Sequence, residues 1–178
     1  MNLVDCISNG HINMLNNIKD VGKTPSESAV HLAQLMLPEH ANPLGNVHGG
    51  VIMKLADEAG SLAAMRHAGM HAVTVFVESM TFNEPVEVGA LLHLNAQLSW
   101  VGRSSIEVLV RVDAENPLTA DVVATNSAFI VYVALDKQGM PTLVPRLVCE
   151  NERQKELMAD GEKRKSVRLS IRSQNNSD

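Results

Sequence analysis

The stretch from Leu91 to Asp113 limits the fold more than any other part of the chain. In LLHLNAQLSWV (91–101), Leu92, Leu94, Ala96, Leu98 and Trp100 fall on one side of an extended backbone, and His93, Asn95, Gln97 and Ser99 on the other. A VGRS turn follows, and then Ile106, Val108, Val110 and Val112 alternate with Glu107, Leu109, Arg111 and Asp113. Period-2 alternation on both sides of a short polar turn predicts two antiparallel strands sharing one apolar face. DVVATNSAFIVYVALD (121–136) is apolar almost throughout, as expected of a central strand. HAVTVFVES (71–79), rich in β-branched residues, and SAVHLAQLMLP (28–38), ended by Pro38, supply two further strands.

A sheet with one apolar face needs a cover. Residues 39–48 carry turn chemistry in Asn42-Pro43, Gly45 and Asn46, and a helix is predicted from about Gly49 to His67. On it, Val51, Ile52, Leu55, Ala56, Ala59, Leu62 and Ala63 form one stripe that should lie on the sheet. The expected fold is α+β: a single hotdog domain over residues 26–148, in which a five-stranded antiparallel sheet wraps around one long helix. Residues 1–25 read as an N-terminal arm. Residues 149–178 read as a C-terminal helix over CENERQKELMADGEKRKSVR and a polar tail, with SQNNSD expected to be unstructured. The 178 residues suit one domain. Aromatic residues are only 3% of them, so the core must be built from Val, Leu, Ile, Ala and Met.

Charge narrows the function. A net charge of -5 argues against a general nucleic-acid binder. No apolar run approaches the ~20 residues of a membrane helix, and MNLVDCISNGHINML lacks the pattern of a signal peptide. Cys6 and Cys149 form neither a metal pattern nor a disulfide framework, so both read as free thiols of a cytoplasmic protein. Residues 26–148 hold six Lys/Arg against twelve Asp/Glu, whereas residues 151–172 hold seven basic residues: Arg153, Lys155, Lys163, Arg164, Lys165, Arg168 and Arg172. A solvated terminal helix explains that cluster most simply; a phosphate clamp folded over the acidic domain is the sharper alternative.

The candidate chemistry lies in NPLGNVHGGVIMKLADEAG (42–60). Asp57 falls opposite the apolar stripe, among Met53, Gly60, Ser61 and Ala64, a small semi-apolar face that resembles an interface. Partial burial there makes a carboxylate a better base; an ordinary exposed Asp beside Lys54 is the plainer alternative. Gly49 and Gly50 sit where the first helical N–H groups lack intrahelical partners and the dipole favours negative charge, so they suit an oxyanion hole or, more simply, a tight turn. Asp57 is eight residues beyond Gly49, ~12 Å along the axis at 1.5 Å per residue. A base and an oxyanion hole acting on one carbonyl must both stand within ~3 Å of the reacting atoms. If both act on one substrate, they come from two copies of the chain.

ANPLGNVHGGVIMKLADEAG resembles the signature of hotdog-fold acyl-coenzyme A thioesterases, in the cytosolic or brain-type acyl-CoA hydrolase branch. VTVFVESMTFNEPVEVGALL, VGRSSIEVLVRVDAENPLT and ATNSAFIVYVALDKQGMPTLVP extend the resemblance over roughly residues 26–152. It implies a catalytic pair of Asn42 and Asp57 across a dimer interface, with Gly49 and Gly50 amides holding the carbonyl oxygen. Asp57 would act as general base on water or as nucleophile, and Asn42 would orient the water or polarise the thioester. It further implies a homodimer with two complete sites, often three such dimers in a hexamer, and no cofactor beyond the coenzyme A of the substrate. Arg103 in the VGRSS turn, with Ser104 and Ser105, is the first candidate for the CoA phosphates; His48, Lys54 and the Lys163–Arg168 cluster are further candidates. No pair of the seven histidines has metal-ligand spacing with a third ligand nearby. Two rival readings share the fold: a dehydratase using His48 with Asp57, and a non-catalytic acyl-CoA sensor.

Overall fold

The computed structural model describes residues 22–175, so Cys6, most of the N-terminal arm and the last three residues of the tail lie outside the described part. In chain order the elements are α1 (Pro25–Ser28), β1 (Val30–Leu35), a 3-10 turn (Pro38–His40), α2 (Gly49–Ala68), β2 (His71–Phe82), β3 (Leu91–Val101), β4 (Ser105–Glu115), β5 (Val122–Leu135) and α3 (Glu152–Asn175). All strand pairs are antiparallel, in the order β1-β3-β4-β5-β2. The sheet cradles α2 in the hotdog arrangement, and α3 packs on the opposite face.

The core follows the alternation. Ile106, Val108, Val110 and Val112 of β4 are fully buried under α2, beside Leu92, Leu94, Ala96 and Leu98 of β3. Trp100 departs from the expected face. The register slips between Leu98 and Trp100, so Leu98 pairs with Val108 but Trp100 with Glu107. That extra residue turns the indole to the outer face. There Trp100 lies under α3, packed against Gly161, with its indole N–H donating to Glu162 at 2.7 Å.

Helix α2 also buries a different arc from the stripe read along its sequence. Ile52, Leu55, Ala56, Ala59 and Ala63 are buried as expected, but Leu62 is 43% exposed. Gly60 and Ala64, assigned to an interface face, are buried instead. A concave sheet reaches round one flank of the helix, so the buried arc is rotated toward Gly60 and Ala64. Asp57 therefore lies at the edge of that arc.

The predicted first strand begins later than expected, because Ser28 closes α1 and Val30 opens β1. Ser28 serves a buried histidine: its hydroxyl is 3.1 Å from Nδ1 of His67, whose Nε2 is 2.9 Å from the Pro145 carbonyl oxygen. A carbonyl only accepts, so Nε2–H donates to it and Nδ1 accepts from Ser28, the neutral ring. Burial pulls the His67 pKa below its ordinary 6.5. The unfolded chain therefore binds more protons than the folded one below that value, and stability rises with pH across this window. The urea midpoint should fall on going from pH 7.5 to 5.5, and fall less in His67→Gln; parallel profiles would remove His67 from the account.

Helix α3 is neither a solvated helix nor a free cationic arm. Glu107, completely buried, accepts from Ser99 Oγ at 2.7 Å and from Arg164 Nη2 at 2.6 Å. Arg164 stacks 4.0 Å over the Phe129 ring, and Arg168 pairs with Glu78 and reaches Glu107 at 3.5 Å. Lys163 and Lys165 pair with Asp160 and Glu162 one turn back. The helix continues to Asn175, past Arg168 and into the segment expected to be unstructured.

Candidate active site

The candidate residues fall into two groups, one at each end of α2's first half. At the start of the helix, Asn42 Oδ1 accepts the Leu44 amide at 2.8 Å, while the Asn42 backbone N–H donates to Asn46 at 2.7 Å. This closed turn fixes the carboxamide, and among the described residues its NH₂ has no acceptor. His48 is the N-cap of α2, and its Nδ1 accepts the Gly50 N–H at 2.9 Å. The Gly50 amide is thus held by the ring, whereas the Gly49 amide has no partner among the described residues. Asn42, Gly49, Ile52 and Phe82 line one cleft of about 250 Å³ with Asn46 and Asn83 to Val86. The Phe82 ring covers Gly49 so closely that a Cβ there would meet it at 3.2 Å.

Asp57 is outside that cleft and is held from the sheet. Thr74 of β2 donates its hydroxyl to Asp57 Oδ1 at 2.7 Å. Tyr132 of β5, the register partner of Thr74, reaches the same oxygen at 3.2 Å and the Asp57 carbonyl at 3.1 Å. Among the described residues Oδ2 has no partner. Burial, and then the neighbouring Asp57 charge, push the Tyr132 pKa far up, so the phenol stays a donor. A Cβ on Gly60 would overlap the Tyr132 hydroxyl, so glycine is what lets the phenol reach the carboxylate. Lys54 does not pair with Asp57; it meets Glu58 at 3.6 Å.

Thr74, Tyr132 and Gly60 were not picked out from the sequence as site residues. Thr74 is one hydroxyl in a β-branched strand, and only the register shift after it, between Thr74 and Phe76, marks a place where a side chain is re-aimed.

Arg103 lies exposed in the β3–β4 turn, and among the described residues it makes no ion pair. The turn is fixed by its backbone: Arg103 and Ser104 carbonyls accept from Val144 and Ala134 at 3.1 and 2.9 Å. Ser105 pairs with Val133, next to Tyr132, so the turn stands at Asp57's end of the sheet, away from the Asn42 cleft. Among the described residues no group of three or more His, Cys, Asp or Glu is placed to hold a metal. None of their helices is long and apolar enough to cross a membrane.

Residues 44–120 match the Thioesterase superfamily. The chain is 34% identical over 143 residues to the cytosolic acyl coenzyme A thioester hydrolase of Rattus norvegicus, covering 79% of this chain but only 38% of that relative. It is 35% identical over 134 residues to an uncharacterized acyl-CoA thioester hydrolase of Haemophilus influenzae, covering 73% of this chain and 86% of the relative. The structure resembles an acyl-CoA hydrolase from Staphylococcus aureus solved with butyryl-coenzyme A, coenzyme A and coenzyme A disulfide (TM-score 0.80, 28% identity, 87% of this chain and 94% of the other). It also resembles a hexameric acyl-CoA thioesterase (TM-score 0.81, 33% identity, 85% and 97%). In the Staphylococcus enzyme an asparagine, an aspartate and a threonine were each replaced by alanine. Those three are spaced 15 and 17 residues apart, as Asn42, Asp57 and Thr74 are here.

Proposed function

This chain belongs to the thioesterase superfamily, and from that premise we propose that it hydrolyses acyl-coenzyme A thioesters to a free acid and coenzyme A, at sites shared by two copies. The observation that carries the reading is the held carboxylate. Asp57 Oδ1 is fixed by two hydroxyls and, among the described residues, Oδ2 is left open, which leaves one oxygen to receive a water. Asp57 takes a proton from that water as its oxygen bonds to the thioester carbonyl carbon. The C–S bond then breaks, and the proton passes to the leaving sulfur.

The Gly49 amide is the oxyanion donor in this reading, beside the Gly50 amide that His48 holds, and Asn42 lines the same cleft. His48 organises that helix start as its cap, which favours hydrolysis over a dehydratase using His48 as base. The cleft holds Asn42 and Gly49 but not Asp57, which supports a site completed by a second copy. The edge of β2, which no strand among the described residues pairs, supports the same dimer: Val73, Val75, Phe76 and Val77 are exposed along it. A trimer of such dimers agrees with the hexameric neighbour. The part-exposed free thiol of Cys149 suits a cytoplasmic setting.

Incubation with short-chain acyl-CoAs and palmitoyl-CoA in the presence of a thiol reagent tests the activity. Thiol release supports hydrolysis; binding without release indicates a sensor, and hydration of an enoyl thioester indicates a hydratase. Arg103 is assigned to the CoA phosphates, with Ser104 and Ser105 beside it. Arg103→Glu should raise KM for acyl-CoA about ten-fold or more, as loss of a charge-assisted phosphate contact does, and leave KM for the matching pantetheine ester unchanged. Equal changes for both substrates would refute the phosphate role.

A further inference from the structure

Tyr132 is the one tyrosine of the chain, and it stands where packing alone does not ask for one. Its neighbours on the helix-facing side of β5 are Ala128, Ile130 and Ala134, all in the apolar core. A phenylalanine would fill that place with no polar atom to satisfy. The hydroxyl adds two costs. A buried phenol must find a partner or lose free energy. That partner lies across α2, where any Cβ at position 60 would overlap the phenol oxygen. A 20-residue helix therefore carries Gly60 near its middle, where glycine is less favourable than alanine.

Both costs are met for contact with one residue. Among the described residues the Tyr132 hydroxyl has only Asp57 as partner, 3.2 Å from Oδ1 and 3.1 Å from the carbonyl oxygen. One donor thus bridges the side chain and the main chain of Asp57. Thr74 holds the same Oδ1 at 2.7 Å, but a single hydrogen bond leaves a carboxylate free to turn about it. A second donor, tied to the helix backbone, removes that freedom, so the oxygen left for a water is always Oδ2. Burial, and then the Asp57 charge, keep the phenol protonated, so it remains a donor.

Resting on the hydrolase reading above, we propose that Tyr132 is a positioning residue for that reaction, locking the Asp57 carboxylate so that Oδ2 meets the water, and that Gly60 serves by admitting its hydroxyl. The two residues give up helix stability for the aim of one carboxylate.

Four variants of the full-length chain test this: Tyr132→Phe, Gly60→Ala, the two together, and Tyr132→Phe with Asp57→Asn. Tyr132→Phe should lower kcat for acyl-CoA about ten-fold or more, the scale of one hydrogen bond to a charged group, with KM unchanged. Combined with Asp57→Asn it should change the residual rate by less than about two-fold, since residues that act as a unit are not additive. Gly60→Ala should lower both kcat and the melting temperature, because its methyl displaces the phenol. Gly60→Ala with Tyr132→Phe should melt at or above the wild type yet keep the low kcat. There the methyl fills the space of the lost hydroxyl, and the helix gains a better former. The single tyrosine also gives a readout free of activity: its Cζ resonance in isotope-labelled protein should shift on Asp57→Asn. An unmoved resonance overturns the contact. A stable Gly60→Ala/Tyr132→Phe variant with wild-type kcat overturns the role and leaves the hydrolase reading standing. So does an equal loss from Tyr132→Phe with and without the Asp57 carboxylate. Failure of the hydrolase reading looks different: the wild type itself releases no thiol, and the role falls with it.

Discussion

Asp57→Asn should lower kcat for acyl-CoA hydrolysis by about 10²–10⁴-fold, the usual contribution of a positioned general base, while the melting temperature changes little. The amide keeps an oxygen for the Thr74 and Tyr132 hydroxyls, which meet Oδ1 at 2.7 and 3.2 Å. What it loses is the capacity to take a proton at the second oxygen. KM should change little, because the carboxylate acts in the transition state and not in ground-state binding. Asn42→Ala should also nearly abolish turnover, by removing a carboxamide that its turn fixes at the edge of the cleft. Full activity in both variants would sink the assignment of the pair.

The second large effect is on stability and lies on the other face of the sheet. Arg164→Ala should cost about 3–5 kcal/mol, as when one partner of a buried ion pair is removed. Glu107 is completely buried, and Arg164 supplies two of its hydrogen bonds, at 2.6 and 3.2 Å. Arg168 stands farther off, at 3.5 Å, and is already engaged with Glu78. Replacing both partners by apolar residues, Glu107→Leu with Arg164→Met, should recover most of the loss. Urea unfolding of the two variants checks this. A single variant as stable as the wild type would mean that solvent reaches Glu107.

The sequence was most legible where the signal is local. Alternation and a polar turn placed β3 and β4 closely, because each strand has one face on the core and a two-residue period. The helix start was legible from Asn42-Pro43, Gly45 and His-Gly-Gly, since turn and cap chemistry act over a few residues. Trp100 was misplaced because one slipped residue reverses every later side chain, and nothing in LLHLNAQLSWV announces the slip. Glu107 and Ser99 fell on the polar side of an alternating pattern, and nothing in that pattern tells that a second layer covers them. Arg164 and Arg168 were seen as charge without their partners, which are 57 and 90 residues away. The same limit hid the support of Asp57. Thr74 and Tyr132 come from two strands, and Gly60 matters only because Tyr132 crosses over it.

The central claim is that one working site takes Asn42 and Gly49 from one copy and Asp57 from another. Mixing inactive Asn42→Ala with inactive Asp57→Asn, under conditions that exchange subunits, tests it most directly. In a mixed two-fold dimer, one site carries both substitutions and the other carries neither, so an equal mixture should regain about a quarter of wild-type activity. If both residues served a site within one chain, every site in the mixture would stay defective. No recovery after verified subunit exchange would contradict the shared site.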